Sequence, residues 1–398
     1  MKSLSIKLKS NSIFTFLLLL IFYSTFYLTN FLNNWPFLQL GDAWFNRLFD
    51  DTYQVLKTAE CYSRIGRLIY EQNTCGNFVY GSFLLYLLAL FKIFSSASVI
   101  VGVIFMFLNV LIFTFLTFLI QIRVGWKSGL VSVLISISPP FHYLLERGNF
   151  DTLILVLLLL SSLCFNFKKY KTVLILLSLA SLFKFYTLPV LFIFTFLISI
   201  RRIRYYAFYV FTAVFVTIYT LRDAIQVREF ISNGTGGYGG TFGVKSLLLY
   251  MRHYSSFFDN NFWAYIYYLL FILLFICILY KYKNSIYNEE LILKASWGIC
   301  YIFGIQVIFI FFTFVNNDYR LSLLGIYLMA SILNPINKTS IHFYTIVLGM
   351  FSMWLSYPSW VFQVLGDVSL LIVISLITYQ LFSHRKVAMQ SISDRRRS

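Results

Sequence analysis

Charge is what this chain has least of. Asp, Glu, Lys and Arg make up 12% of its 398 residues, whereas 59% are hydrophobic; a soluble domain carries about a quarter charged residues. The shortage excludes an ordinary soluble domain. Recognisable chemistry is scarce too. There is no G-x-x-x-x-G-K-[ST] to cradle a nucleotide phosphate and no H-E-x-x-H or C-x-x-C to hold a metal. The N-terminal apolar run continues to about Phe31 behind Lys2, Lys7 and Lys9 without a small-residue cleavage site, so it reads as a retained span rather than a signal peptide. No repeat relates residues 1–200 to residues 201–398. A membrane transporter often has two related halves, so this absence weighs against one.

What is present is apolar sequence in lengths near the roughly 20 residues that cross a bilayer, with a mean hydropathy of +0.77. The fold class expected is an all-α polytopic membrane protein forming a single transmembrane domain over residues 1–398. Spans are expected at about 12–33, 98–122, 128–145, 151–167, 172–186, 187–200, 205–221, 262–280, 291–314, 321–334, 342–359 and 365–383. Phe83–Phe94 is too short to cross and reads as an interfacial helix. In this layout 20 of the 32 basic residues fall on the inner side with only three of the 15 acids, so the whole net charge of +17 lies inside. The basic excess, including the tail 384–398, therefore orients the chain and meets anionic lipid. It argues for membrane lipids as partners and offers nothing toward nucleic acid.

The outer face carries twelve of the acids and the two long loops, 33–97 and 222–261; long loops in compact proteins usually carry function. The first loop holds Asp42, Asp50 and Asp51, then Cys61 and Cys75, the only two of five cysteines to share an outer loop. Those two are expected to form a disulfide; the alternative is two free thiols in a reducing setting. The second loop is rich in glycine from Gly234 to Gly243 and continues to Arg252, His253 and Asp259. Such a loop either approaches a phosphate with its backbone or is merely flexible. Asn233-Gly234-Thr235 also fits a glycosylation acceptor.

The densest polar feature is Glu146-Arg147-Gly148-Asn149-Phe150-Asp151, set between two uncharged stretches. Charges beside a bilayer are costly unless paired or wet. Two explanations stand side by side: a solvated turn in which Arg147 pairs Glu146 or Asp151, or a polar site at the membrane surface. Lys184, just ahead of Tyr186 and Pro189, and Arg320, at the end of Asn316-Asn317-Asp318-Tyr319-Arg320, lie at other outer span ends. Lys184 could snorkel and Arg320 could pair Asp318. Alternatively, with Arg147 and Arg252 they set four cations at one level, able to hold a phosphate whose lipid tail lies in the bilayer.

These motifs resemble those of glycosyltransferases with the GT-C fold, and most closely glycosyltransferase family 87. The features carrying the likeness are an Asp in the first outer loop, an E-R-G-N-x-D turn between spans three and four, the Lys184-to-Pro189 element at the end of span five, and Asp318-Tyr319-Arg320. In layout the resemblance covers about residues 12–334. Pro189 departs from the pattern, since the family has proline directly after the tyrosine. The resemblance implies a GT-C fold of about 12 transmembrane helices with interfacial helices in the first outer loop. It implies transfer of a hexose, mannose first, from a polyprenyl-phosphate sugar donor to a lipid or glycan acceptor on the extracytoplasmic face. No cofactor or metal is called for. An Asp would remove the acceptor proton, and cations would stabilise the departing phosphate. Asp51, which opens a helix leading to Tyr80-Gly81, best matches the family's first loop; Asp50 and Asp42 compete for the role. Glu146, Arg147, Asn149, Asp151, Lys184, Tyr186, Arg252, His253 and Arg320 are the expected substrate and donor-phosphate residues. A flippase of lipid-linked sugars and a glycan polymerase or ligase remain alternatives, although long outer loops with clustered acids fit an enzyme better.

Overall fold

The structure is a computed structural model and describes residues 49–66, 80–201, 203–234, 241–242, 295–313, 316–333, 340–355 and 364–380, with single positions at 273 and 362. These residues are overwhelmingly helical, in agreement with an all-α class. The helices are α1 (Asp50–Ile65), α2 (Ser82–Leu90), α3 (Ser98–Arg123), α4 (Trp126–Ser136), α5 (Pro139–Arg147), α6 (Asp151–Asn166), α7 (Tyr170–Phe183), α8 (Leu188–Arg201), α9 (Ile203–Gly234), α10 (Ala295–Thr313), α11 (Ser322–Leu333), α12 (Ser340–Leu355) and α13 (Val364–Gln380). Short 3₁₀ turns at Ser95–Ala97, Phe185–Thr187 and Asp318–Leu321 join them. The expected first span, the 262–280 span apart from position 273, and the basic tail lie outside the described residues.

Burial follows composition. Helices α10 and α11 are apolar all round, pack on each other, and are buried along nearly their whole described lengths, the expected place for a helix with no polar face. Helices α6 and α7 bury one stripe each and leave residues such as Leu160 and Ile175 exposed. Along α3 the exposed face is a stripe of Ile100, Ile104, Phe107, Leu111 and Phe115 at helical spacing, while Phe105, Phe113 and Ile120 point into the core.

Three expectations about the spans change. The single span at 128–145 is two helices, α4 and α5, bent by 50°. Its cause is in the sequence: Pro139-Pro140 lacks amide donors, and the residue before a proline is driven out of the helical region. Ser138 duly adopts φ −69°, ψ 151°. The span at 172–186 stops earlier, because Lys184 is extended (φ −152°, ψ 117°) and the chain turns before α8 begins. Pro189 then sits in the first turn of α8, where a missing amide costs nothing. The third change is at 222–261, expected as loop, where α9 continues to Gly234. By length and apolarity, Ser95–Arg123 alone among the described helices suffices to cross a membrane, and the bent α4–α5 pair would make a second; shorter apolar stretches of 10–17 residues include Asp151–Asn166, Tyr170–Phe183 and Gly298–Phe311.

A helix is present at the expected Phe83–Phe94 stretch as α2, starting at Ser82 and ending at Leu90. A two-residue antiparallel pairing, β1 (Thr241–Phe242) with β2 (Asn316–Asn317), brings the Gly-rich segment beside the turn that carries Arg320.

Candidate functional site

The site forms where helices end. Helix α5 closes at Gly148, whose left-handed conformation (φ 55°, ψ 41°) favours glycine. A Cβ there would also stand 2.7 Å from the Phe49 ring and 2.9 Å from Thr52 Oγ1. Asn149 follows and opens α6: its Oδ1 accepts the Asp151 amide at 2.8 Å, the usual work of an asparagine at a helix start. On the facing segment Phe49 is buried with φ 62°, a strained conformation for a bulky residue. It is held there by its ring against Gly102 and by its amide, which donates to the Glu146 carbonyl at 2.9 Å. Strain held by packing often marks a functional site. Here it aims the first turn of α1, which carries Asp50 and Asp51, at the α5–α6 junction, and Thr52 Oγ1 donates to the Gly148 carbonyl.

Asp51 takes a bond on each oxygen, Arg147 Nη2 on Oδ1 and Asn149 Nδ2 on Oδ2, across 96 and 98 residues of sequence. Asn149 is shared further, since Tyr80 Oη donates to its Oδ1 at 2.7 Å. Asp151 accepts from Lys184 Nζ on one oxygen and from Arg320 Nε at 3.2 Å on the other. Aromatic faces cover the cations. Lys184 Nζ lies 4.0 Å from the Tyr80 ring centre, the Tyr186 ring lies between Lys184 (5.5 Å) and Arg320 (5.0 Å), and Tyr143 lies 5.5 Å from Arg147. Such contacts strengthen as water is removed. Gln306 of α10 fixes Tyr186 by donating to its carbonyl at 3.0 Å.

The chain has no match among protein-family models, curated proteins or solved structures. Its site is therefore read from its own geometry.

Of the residues singled out from sequence, Asp51, Arg147, Asn149, Asp151, Lys184, Tyr186 and Arg320 meet in one network. Glu146 and Asp50 are buried beside it. Asp42, Arg252 and His253 lie outside the described residues. So does Cys75; Cys61 is disulfide-bonded, whereas Cys164 and Cys300 are free.

The solvated-turn explanation fails. Glu146, Arg147, Asn149 and Asp151 are all buried, and the partner of Asp151 is not Arg147. Lys184 does not snorkel either: its side chain is 1% exposed and is held by Asp151. Arg320 reaches back 169 residues to Asp151. Among the described residues, Arg147, Lys184 and Arg320 are each paired with a carboxylate, Asp51 or Asp151, so Lys184 is spoken for before any ligand arrives; Arg252, the fourth cation of the expected level, lies outside the described residues. Among the described residues no group of three or more His, Cys, Asp or Glu could hold a metal ion.

Two carboxylates so close together have different uses. Asp151 is enclosed between two cations, whereas the Asp51 side chain is 16% exposed. A carboxylate has about four acceptor sites, so Asp51 keeps capacity for a ligand hydroxyl after receiving Arg147 and Asn149. Sequence reading passed over Tyr80, Thr52, Gln306 and Tyr143 as site residues. Tyr80 had a signal, the aromatic-Gly step before α2; Gln306 had one too, as a lone amide within an apolar helix.

Proposed function

We propose that this protein is an integral membrane glycosyltransferase of the GT-C type, resembling glycosyltransferase family 87, with both termini cytoplasmic and its active face extracytoplasmic. It transfers a hexose, mannose in the first instance, from a polyprenyl-phosphate donor to a lipid-linked or glycan acceptor. Asp51 is the general base. The acceptor oxygen attacks the anomeric carbon, its proton passes to Asp51, the bond from that carbon to the phosphate oxygen breaks, and polyprenyl phosphate departs. Arg147 and Arg320, at the edges of the network, are the cations best situated to meet the phosphate charge; Lys184 serves by holding Asp151.

The observation that carries this reading is the partly exposed Asp51, held by Arg147 and Asn149 next to the buried Lys184–Asp151–Arg320 group. Orienting a carboxylate within a largely dry site, with cations close by, is what a displacement producing an anionic leaving group requires. The apolar exposed stripe of α3 supports residence in lipid, because soluble surfaces rarely expose so continuous an apolar face.

Membranes containing the protein, supplied with labelled polyprenyl-phosphate mannose, are expected to form a new lipid-linked or glycan-linked product. Movement of the donor across the bilayer without a new glycosidic bond would overturn the reading in favour of a flippase. Cysteine labelling from outside should reach a probe at Gly237 and not one at Ser285; the reverse would invert the topology.

A further inference from the structure

We infer that Asp223, on α9, is a positioning residue for Asp51, acting at a distance through the Tyr80-Gly81-Ser82 strap. This inference rests on the glycosyltransfer reading for its kinetic consequences only. Helix α2 starts at Ser82 behind Gly81, and no side chain near it in sequence caps it. A local cap is excluded by space. Gly81 lies against the end of α7, its amide bonded to the Phe183 carbonyl at 2.9 Å, and a Cβ at that position would stand 2.0 Å from the Leu182 carbonyl oxygen. No Ser, Asn or Asp can therefore occupy the position before Ser82, and the first amide of α2 needs an acceptor from elsewhere.

Asp223 supplies it. From 141 residues away its Oδ2 accepts the Ser82 amide at 2.6 Å, and one turn earlier on α9 Tyr219 Oη meets Ser82 Oγ at 3.0 Å. Asp223 is 3% exposed and, among the described residues, takes part in no ion pair. A buried carboxylate is costly unless its hydrogen bonds are strong; here an amide at a helix N-terminus provides the favourable field.

The strap's other end is the site. Tyr80, two residues before Ser82, donates to Asn149 and covers Lys184, and Asn149 in turn donates to Asp51. The line Asp223–Ser82–Tyr80–Asn149–Asp51 thus links α9 to the proposed base. Loosening one end lets Tyr80 drop Asn149 and frees Asp51 to turn from its bound orientation. Misplacement of a catalytic group by about 1 Å costs up to about 100-fold.

The test uses the full-length protein in membranes, with Asp223→Ala, Asp223→Asn, Tyr80→Phe and the Asp223→Ala/Tyr80→Phe pair. Amide hydrogen exchange at the start of α2, which needs no activity, should speed up about tenfold or more in Asp223→Ala and stay near wild type in Asp223→Asn, which keeps a carbonyl acceptor. With polyprenyl-phosphate mannose as donor, kcat in Asp223→Ala should fall about 10- to 100-fold with KM little changed. The pair should be no slower than Tyr80→Phe alone, since both changes break one line. If Asp223→Ala does not accumulate, Asp223→Glu, which keeps the charge and shifts it by one methylene, carries the same comparison. Unchanged exchange, additive losses in the pair, or an Asp223→Asn as impaired as Asp223→Ala would each overturn the inference. A wild-type protein without transfer would overturn the functional reading instead, and the exchange experiment would still decide whether Asp223 holds the strap.

Discussion

Among the described residues, two polar assemblies inside the helical bundle are built on opposite principles. Around Asp51 and Asp151 the groups are charged and come from helix ends and the turns between them. Among α11, α12 and α13 they are neutral and come from regular helix. There Tyr327 donates to Gln380 Oε1 at 2.8 Å, Gln380 donates to Thr345 at 2.9 Å, and Ser331 meets His342 Nδ1 at 3.0 Å. The neutral assembly repeats at helical spacing, Tyr327 with Ser331 and His342 with Thr345, and serves to register three helices. Interhelical bonds of this kind contribute modestly, about 1 kcal/mol each. The charged assembly is different because removing one partner of a buried ion pair leaves the other charge uncompensated. Charge has been concentrated where the backbone leaves the helix, beside strained Phe49 and left-handed Gly148, and that is the pattern of a site rather than of a fastening.

The comparison is tested most severely at Asp151. Asp151→Ala leaves Lys184 and Arg320 buried without their carboxylate and should destabilise the protein by about 3–5 kcal/mol, measured by thermal unfolding in detergent. Replacing Lys184 by Met in an Asp151→Leu background should recover much of that loss, because an apolar pair can occupy the space of a buried ion pair. No recovery would mean that packing, not charge, dominates there.

Asp51→Asn keeps the side chain's size and one of its two accepted hydrogen bonds while removing the base. Transfer should fall at least about 100-fold. Normal turnover in Asp51→Asn with loss in Asp50→Asn or Asp42→Asn would move the base, and normal turnover in all three would end the mechanism.

Gly81→Ala forces a Cβ against the backbone of α7 and should cost about 1–3 kcal/mol, with transfer reduced in parallel as Tyr80 shifts. Unaltered stability would show that the strap has slack. The smallest effect belongs to the neutral assembly. Gln380→Leu should cost about 1 kcal/mol and leave transfer untouched; lost activity in that variant would erase the distinction between the two regions.

Much of this was legible in the residues. The hexapeptide Glu146–Asp151, Lys184 and Arg320 announced themselves as polar groups in apolar surroundings, and run length located α3 and the neighbourhood of α6, α7, α10 and α11. The break in the 128–145 run was legible too, in Pro139-Pro140, but length alone overrode it. What sequence did not determine was who pairs with whom. Local reading proposed Arg147 with Glu146 or Asp151, and Arg320 with Asp318, whose side chain lies outside the described ones. The structure joins Arg147 to Asp51, and both Lys184 and Arg320 to Asp151. Nor did it show that α2 is capped from α9. Composition and periodicity decide whether a segment is helical and which side chains need a partner, because those costs are local. The partner's identity is set by how helices pack, and packing depends on where Gly81, Gly102 and Gly148 let backbones and rings approach. That is a property of surfaces far apart in the chain, which only the tertiary structure brings together.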